Sequence, residues 1–563
     1  MKISFTEENF FGNLVSAEFE QIAPAKINYR FFCDETEFAD PYCKEFANHR
    51  TWGKILEQSE LECCAEPEKM FDWEKDRLLH IPMENSILYG LHVRGFTKHV
   101  SAKTDSRGSF LGMTDKIPYL KELGITGIVC MPVYTFLEQE KETLQKQERK
   151  TLTEQINYWG FKKGFYYAPN ACYTDKKSVE SPDIQFKQMV KTFHQNGIEV
   201  LLQFYFDGTT DEAEILNVLR YWRLQYHVDG FHLKGAGIPA DLLAADPLLQ
   251  DGKLFYYDFS YDKLFPNGGQ PQRRHLASFQ NTFQLTMRKF LKGDDNIVQD
   301  VVNLLRENPS THGVIHYIAD YEGFRLADLV SYERKHNEAN GENNLDGTDY
   351  NCSWNCGVEG PSRRKMIQEL RLKLMKNALT MVFLAQGTPY LFMGDEFGFS
   401  QQGNNNPYCQ DNEISWLNWK WNSTQQELLD FTRELISFRK KNIVFHQLTE
   451  YRMMDYKRAG SPDLSIHGLQ AWKADIRTYS REIALLYSGA YGTGTSFFTA
   501  YNMHWQEQTF ALPSLSKGEH WQWCFDTSDK ELCKKIIAGS EQKNYVTLPE
   551  RTIAVYRSSN ESN

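Results

Sequence analysis

Several features are scarce in this 563-residue chain. No stretch stays apolar for long enough to span a bilayer. The first residues, Met1-Lys2-Ile3-Ser4-Phe5-Thr6-Glu7-Glu8, hold no apolar run of the kind a secretory leader needs. Neither a membrane partner nor export is expected. Basic runs are missing too. Asp and Glu (74) outnumber Lys and Arg (63), and a formal net charge of −11 argues against a nucleic-acid surface. The 11 cysteines are scattered and odd in number, with Cys63-Cys64 adjacent and Cys352 and Cys356 separated by Ser-Trp-Asn. No pair of Cys-x-x-Cys knuckles exists, so no structural zinc site is expected, nor any other metal or cofactor. Free thiols without a leader point to the cytoplasm. Internal repeats and low-complexity tracts are absent.

What is present is a soluble, globular composition, 41% hydrophobic and 24% charged. The length suggests roughly three to four domains. Aromatics reach 14%, with 12 Trp, 29 Tyr and 37 Phe. Such rings suit the apolar faces of sugars, and large cores use them as well.

Short aromatic-rich runs such as Ile27-Asn28-Tyr29-Arg30-Phe31-Phe32 mark residues 1–85 as a small β-domain. From about residue 86 strands and helices alternate. Strands are expected at Ile87–Val93, Ile125–Pro132, Ile198–Phe206, Val228–Ala236, Lys253–Phe259, Val314–Ala319 and Pro389–Gly394. Helices are expected at Lys116–Leu123, Phe186–Gln195, Glu212–Tyr226, Phe279–Leu291, Lys365–Leu384 and Gln425–Lys441. Residues 138–156 are a polar excursion. Seven or eight alternations over 86–445 predict a closed parallel barrel. Short alternating strands such as Ile483–Tyr487 and Phe497–Tyr501 make 446–563 an all-β C-terminal domain.

One stretch organises the rest: Val228-Asp229-Gly230-Phe231-His232-Leu233-Lys234-Gly235-Ala236. Residues two apart on a strand point the same way, so His232 and Lys234 approach the same surroundings.

Several motifs carry a family resemblance. Leu91-His92-Val93-Arg94-Gly95-Phe96-Thr97 resembles the first barrel strand of the isoamylase-type glycogen debranching enzymes, in the α-amylase family of glycoside hydrolases. Asn157-Tyr158-Trp159-Gly160-Phe161 is similar to that family's Asn-Tyr-Trp-Gly-Tyr. The runs Lys335–Pro361 and Gln401–Trp419, and Ala500-Tyr501-Asn502-Met503-His504-Trp505, match long family signatures. The resemblance covers roughly residues 20 to 557. It implies a TIM-type (β/α)8 barrel with an N-terminal β-domain, here a reduced starch-binding-type sandwich, and a C-terminal all-β sandwich.

The same resemblance exposes what is gone. Cleavage of an α-glucosidic bond with retention needs a nucleophilic carboxylate and a carboxylic acid flanking it. Matched against the family, Lys234 stands for the nucleophilic Asp and His232 for its neighbouring Arg. Tyr257 stands for the general-acid Glu, with Asp258 one position away. Glu322 stands for the third carboxylate and Tyr321 for a sugar-binding His. Gln203 replaces an Asp, Asp207 an Asn, and Gly208 a sugar-contacting His. A long excursion that walls the cleft in the family is deleted here, because Thr209-Thr210-Asp211 leads almost directly into the helix from Glu212. An ammonium at position 234 has no lone pair to attack with and opposes the positive charge of the transition state. A phenol with an ordinary pKa of about 10 is a poor proton donor.

No catalytic set is intact on this reading. Candidate substrate-binding residues are Tyr158, Trp159 and Phe161, whose rings either stack on glucose, as the resemblance implies, or pack the barrel rim, together with Asp207, Asp258 and Glu322. The expected ligand is an α-glucan such as glycogen, starch or a maltooligosaccharide. Three functions stand open: a non-hydrolytic binder of α-glucan or of a partner, a hydrolase of α-1,6 branches with an unorthodox set such as Glu322 with Asp258 or Asp207, and a structural subunit of a glycogen-metabolising complex. Lys234 is read as the partner of Glu322, Asp207 or Asp258 ahead of a new catalytic amine. Trp354, Trp416 and the Asn343, Asn344, Asp346 loop are read as structural, and Cys352 and Cys356 as free thiols.

Overall fold

The computed structural model describes residues 4–12, 14–16, 27–33, 36–65, 70–140, 155–528, 537–538 and 544–560. Most of the polar excursion expected at 138–156 lies outside these residues.

Eight parallel strands close into a barrel: β1 (Leu88–Leu91), β2 (Gly127–Cys130), β3 (Glu199–Asp207), β4 (Gly230–Ala236), β5 (Lys253–Phe255), β6 (Leu276–Phe279), β7 (Gly313–His316) and β8 (Thr388–Phe392), with β8 pairing back onto β1. Strands covered on both faces read as nearly continuous apolar runs, and β1, β2, β7 and β8 are buried at every position. Helices close around them. Helix α1 (Pro182–Gln195) starts where the Ser181 hydroxyl accepts the Ile184 N–H. Helix α2 (Glu212–Tyr226) starts on Asp211, whose carboxylate accepts the Ala213 N–H at 2.8 Å. Helices α3 (Lys365–Leu384) and α4 (Ser423–Lys441) pack together behind β8.

One strand was missing from the sequence reading. Leu276–Phe279 forms β6, and the helix expected from Phe279 begins at Asn281. Four residues after a polar, turn-rich run carry too short a period to separate strand from helix. The strand expected over Lys253–Phe259 leaves the barrel ladder after Phe255, so Tyr256, Tyr257 and Asp258 lie beyond it.

Strands β3 and β4 outgrow their neighbours. They pair in register from Leu201↔Gly230 to Asp207↔Ala236, whereas β2 accompanies β3 only to Leu202 and β5 accompanies β4 only to His232. Their last residues therefore stand above the rim as a two-stranded parallel ribbon. The carbonyl of Tyr205 accepts the Tyr166 hydroxyl at 3.0 Å, which closes part of the free edge.

Before the barrel, the described residues form two-stranded pieces, among them Ile27–Tyr29 with Cys63–Ala65 and Phe31–Cys33 with Thr36–Phe38. After it, a five-stranded antiparallel sheet and a three-stranded one enclose a second core around Phe498, Phe510, Trp521, Val546 and Tyr556. No helix among the described residues is long and apolar enough to cross a membrane.

Candidate functional site at the barrel mouth

The C-terminal ends of the strands place most of the residues singled out from the sequence around one mouth. Strand β4 is buried from Gly230 to Leu233 and emerges at Lys234. Below that point His232 lies flat on Phe279, with ring centroids 4.3 Å apart and 9° between planes. Gln203 Nε2 sits 3.0 Å from His232 Nδ1. Burial, helped by the charge of Lys234, pushes His232 well below its ordinary value, so it is a neutral ring in a sealed barrel floor. Gln203 and His232 face each other across the β3–β4 ladder and hold the interior together.

Lys234 Nζ lies 3.9 Å from Glu322 Oε2 and 5.4 Å from the centroid of Tyr321. Of the three carboxylates expected as its partner, the structure supplies Glu322. Asp207 is turned to Thr209, accepting its N–H at 2.9 Å and its hydroxyl at 2.8 Å; these bonds outweigh slight burial and lower its pKa. Asp258 and Tyr257 are both exposed, Tyr257 at 72%. The pair is itself wet, with side chains 29% (Lys234) and 61% (Glu322) exposed, so its attraction is of the modest surface kind.

Tyr321 fills the floor of the mouth. Its ring is 1% exposed and packs against Trp159 (5.3 Å), Phe161 (5.4 Å) and Phe392 (5.7 Å). Where the family places a histidine that meets sugar, a bulkier phenol is packed under an aromatic cover. Trp159 is largely enclosed, while Phe161 and its neighbour Tyr205 (5.7 Å) are half-buried at the rim. Of the two readings of Tyr158, stacking on sugar and packing, the structure favours packing. The ring is 1% exposed and stacked on His92 at 4.0 Å, beside Trp52, and presents no free face to a ligand. A tyrosine ring that reads as a sugar platform in a motif is here a core residue.

Sequence reasoning overlooked Asp320. It is buried beside the mouth, accepts the Tyr390 hydroxyl at 2.9 Å and the Tyr321 N–H at 2.8 Å, and is pushed up to about 6 by burial, against the opposing pull of Lys234. A carboxyl that changes charge near neutrality at a barrel mouth is a functional-site candidate in its own right. Its signal was a carboxylate two residues before Glu322, but nothing in the sequence shows how deeply it is buried.

Gly208 follows from the shortened loop. Only four residues separate β3 from α2, and the chain turns at Gly208 with φ +87°. A Cβ there would meet the Ala236 Cβ at 3.3 Å. The position matched to the family's histidine thus lies inside the shortened turn.

The long signatures at 335–361 and 401–419 are joined by buried amides. Asn337 and Asn405 exchange hydrogen bonds at 2.9 Å. Asn340 and Asn406 both donate to Asp346 Oδ2, and Asn405 also donates to Asn351. Asn344 accepts the Asn337 N–H. Arg94 grips Asp411 through two bonds, and Trp416 Nε1 donates to the same carboxylate. Trp354 lies under Arg551, with the guanidinium carbon 4.6 Å from the ring centroid. Cys352 and Cys356 are free thiols.

Residues 94–221 match the family model for the alpha amylase catalytic domain, a match that stops ahead of β4. The chain is 28% identical to the glycogen operon protein GlgX homolog of Mycobacterium tuberculosis over 88% of this chain and 82% of that protein. It is 33% identical to the glycogen debranching enzyme of Erwinia tasmaniensis over 66% of this chain and 64% of that one. These matches support a likeness to the α-amylase family, in its isoamylase-type group. Among solved structures, the pullulanase SAP of Group B Streptococcus in complex with maltotetraose superposes with a TM-score of 0.67 at 15% identity, covering 93% of this chain and 77% of that one. That likeness supports the barrel and its flanking sheets.

In chemical terms, the mouth of the barrel holds two carboxyl groups near Lys234, those of Asp320 and Glu322. Both lie in the loop after β7, two residues apart, one sealed in and one beside an ammonium. A retaining glycosidase needs its two carboxyls on opposite sides of the scissile bond, roughly 5–5.5 Å apart.

Proposed function

We propose that this chain is a non-hydrolytic, α-glucan-binding member of the isoamylase-type group. One observation carries the reading: Lys234 emerges near the end of β4 with Nζ 3.9 Å from Glu322, at the position that the sequence resemblance matches to the family's nucleophile. A cation a few ångströms from a developing oxocarbenium raises the barrier. Glucan as the ligand is supported by the names of the relatives and by the maltotetraose in the similar pullulanase. The half-buried rings of Phe161 and Tyr205, with Asp207, Lys234 and Glu322 above them, give a rim that combines aromatic faces with hydrogen-bonding groups.

The test pairs affinity electrophoresis in glycogen with a reducing-end assay on the same preparation. Retardation without release of reducing ends is expected. Release at high protein concentration that Glu322→Gln abolishes would replace the proposal with an active enzyme of unusual composition. Absence of any retardation would remove glucan as the ligand and direct the search to a protein partner.

A further inference from the structure

A second cluster of chemically able side chains lies away from the mouth, where the N-terminal segment meets the barrel. His49, Glu138 and Cys172 bring one ligating atom each to within 4.8 Å of one another, and all three are buried. His49 Nε2 is 3.0 Å from Glu138 Oε2, and Cys172 Sγ is 3.9 Å from the same His49 nitrogen. The other end of each polar side chain is idle. Among the described residues, His49 Nδ1 and Glu138 Oε1 are buried without a hydrogen-bond partner. Such orphans are costly, and several in one place ask for an explanation.

Three separate pieces of backbone fix the three groups. The segment of His49 runs beside Leu61–Cys64, with Cys64 N–H donating to Glu45 and Ala47 N–H to Glu62. Glu138 follows the barrel's second loop, where its carbonyl accepts the Asn157 N–H at 2.8 Å and the next residue pairs with Ile55. Cys172 sits in the turn Ala171–Tyr173, its N–H held by Asn170 Oδ1 at 2.9 Å. The donors are therefore placed before any ligand arrives.

We propose that His49, Glu138 and Cys172 form a binding site for a divalent transition-metal ion, zinc by its ligand chemistry, that clips the N-terminal segment to the barrel. Thiolate, imidazole and carboxylate together are a zinc-type donor set. Calcium and magnesium prefer oxygen alone. Bonds of about 2.0–2.3 Å in a tetrahedron separate ligand atoms by about 3.3–3.8 Å, close to the spacings here. Charge balances as well: a dication, one carboxylate and one thiolate sum to zero in a buried place, and the thiol proton passes to solvent on binding. Three protein ligands leave a fourth position for water.

The experiment uses the full chain, stripped with a chelator, kept reduced, and shown to be folded by circular dichroism. It is titrated with Zn²⁺ and in parallel with Co²⁺. One equivalent of either ion is expected, with a thiolate-to-cobalt charge-transfer band. Cys172→Ser should lose that band and Glu138→Gln should weaken binding at least tenfold, while Cys352→Ser leaves both unchanged. A folded wild-type chain that takes up no equivalent of metal overturns the proposal, whatever the variants do. So does a cobalt band that survives Cys172→Ser.

Discussion

His194 offers a prediction whose size can be worked out in advance. It lies near the end of α1 at the closed base of the barrel, with Nδ1 2.9 Å from Asp76 Oδ1 and Nε2 2.8 Å from Asp229 Oδ2. Both ring nitrogens face carboxylates, so only the imidazolium donates to both. Burial alone would lower its pKa. The hydrogen bonds to Asp229 and Asp76 overcome that and raise it from 6.5 to about 9. The native state therefore holds this proton more tightly than the unfolded chain. The stabilisation is complete below about pH 6.5 and disappears as pH climbs through about 9. At about 1.4 kcal/mol per unit the group contributes about 3 kcal/mol. The perturbation is His194→Gln. The assay is denaturant unfolding of wild type and variant at pH 6 and pH 10, taking the difference so that other titrating groups cancel. The variant should be less stable at pH 6, and its deficit should shrink by about 3 kcal/mol at pH 10. A deficit of equal size at both pH values would refute the reasoning. The effect should localise, because Asp76 also binds His227, whose ring stacks on Trp73 at 3.9 Å. Hydrogen exchange in residues 70–80 should speed up first.

Other consequences are separately checkable. Asp320 also loses stability as pH rises, but from a different cause: burial raises it from 3.8 to about 6, so its ionised form carries a cost that grows from about pH 4 and is complete above about pH 6. Asp320→Asn should gain on wild type by up to about 3 kcal/mol at pH 8, an advantage that fades by pH 4 in the same unfolding assay. Glu322→Gln breaks a solvent-exposed pair and should change stability by less than about 1 kcal/mol, while shifting glycogen retardation if the rim binds glucan. Gly235→Ala would push a Cβ to 1.8 Å from the Phe206 carbonyl at φ +99° and should cost more than about 3 kcal/mol, read as loss of soluble yield or of the thermal transition. Asn405→Ala removes the amide that joins Asn337, Thr348 and Asn351 and should cost about 2–3 kcal/mol, with faster exchange in both 335–361 and 401–419.

Much of the barrel is legible because its period changes with its surroundings. Glu212–Tyr226 and Lys365–Leu384 are helices with the bounds that the spacing of apolar residues gives. Leu276–Phe279 escaped because four residues hold barely two turns of a strand's alternation. At the mouth, aligning the motifs brought Lys234 and Glu322 into one neighbourhood, and the ends of β4 and β7 place them there. The fates of Tyr158 and Tyr321 could not be read the same way. Both rings sit in motifs, and whether a ring faces ligand or core depends on what packs above it, which here comes from distant segments. The same holds for His49, Glu138 and Cys172, whose ligand spacing is 89 and 123 residues along the chain and a few ångströms in space.

The ribbon above the rim has a mechanical consequence. Gly235 leaves no room for a side chain against the Phe206 carbonyl, β3 and β4 stay paired to Asp207↔Ala236, and only four residues join β3 to α2. That side of the mouth is a paired ribbon on a short turn. What can still move is the four-carbon arm of Lys234 hanging from it, with Glu322 as a loose tether in water. A ligand arriving there would have to rearrange a side chain rather than a loop. Admission would then be decided by a fast, local, salt-sensitive contact, and strong electrolyte alone should leave the arm free.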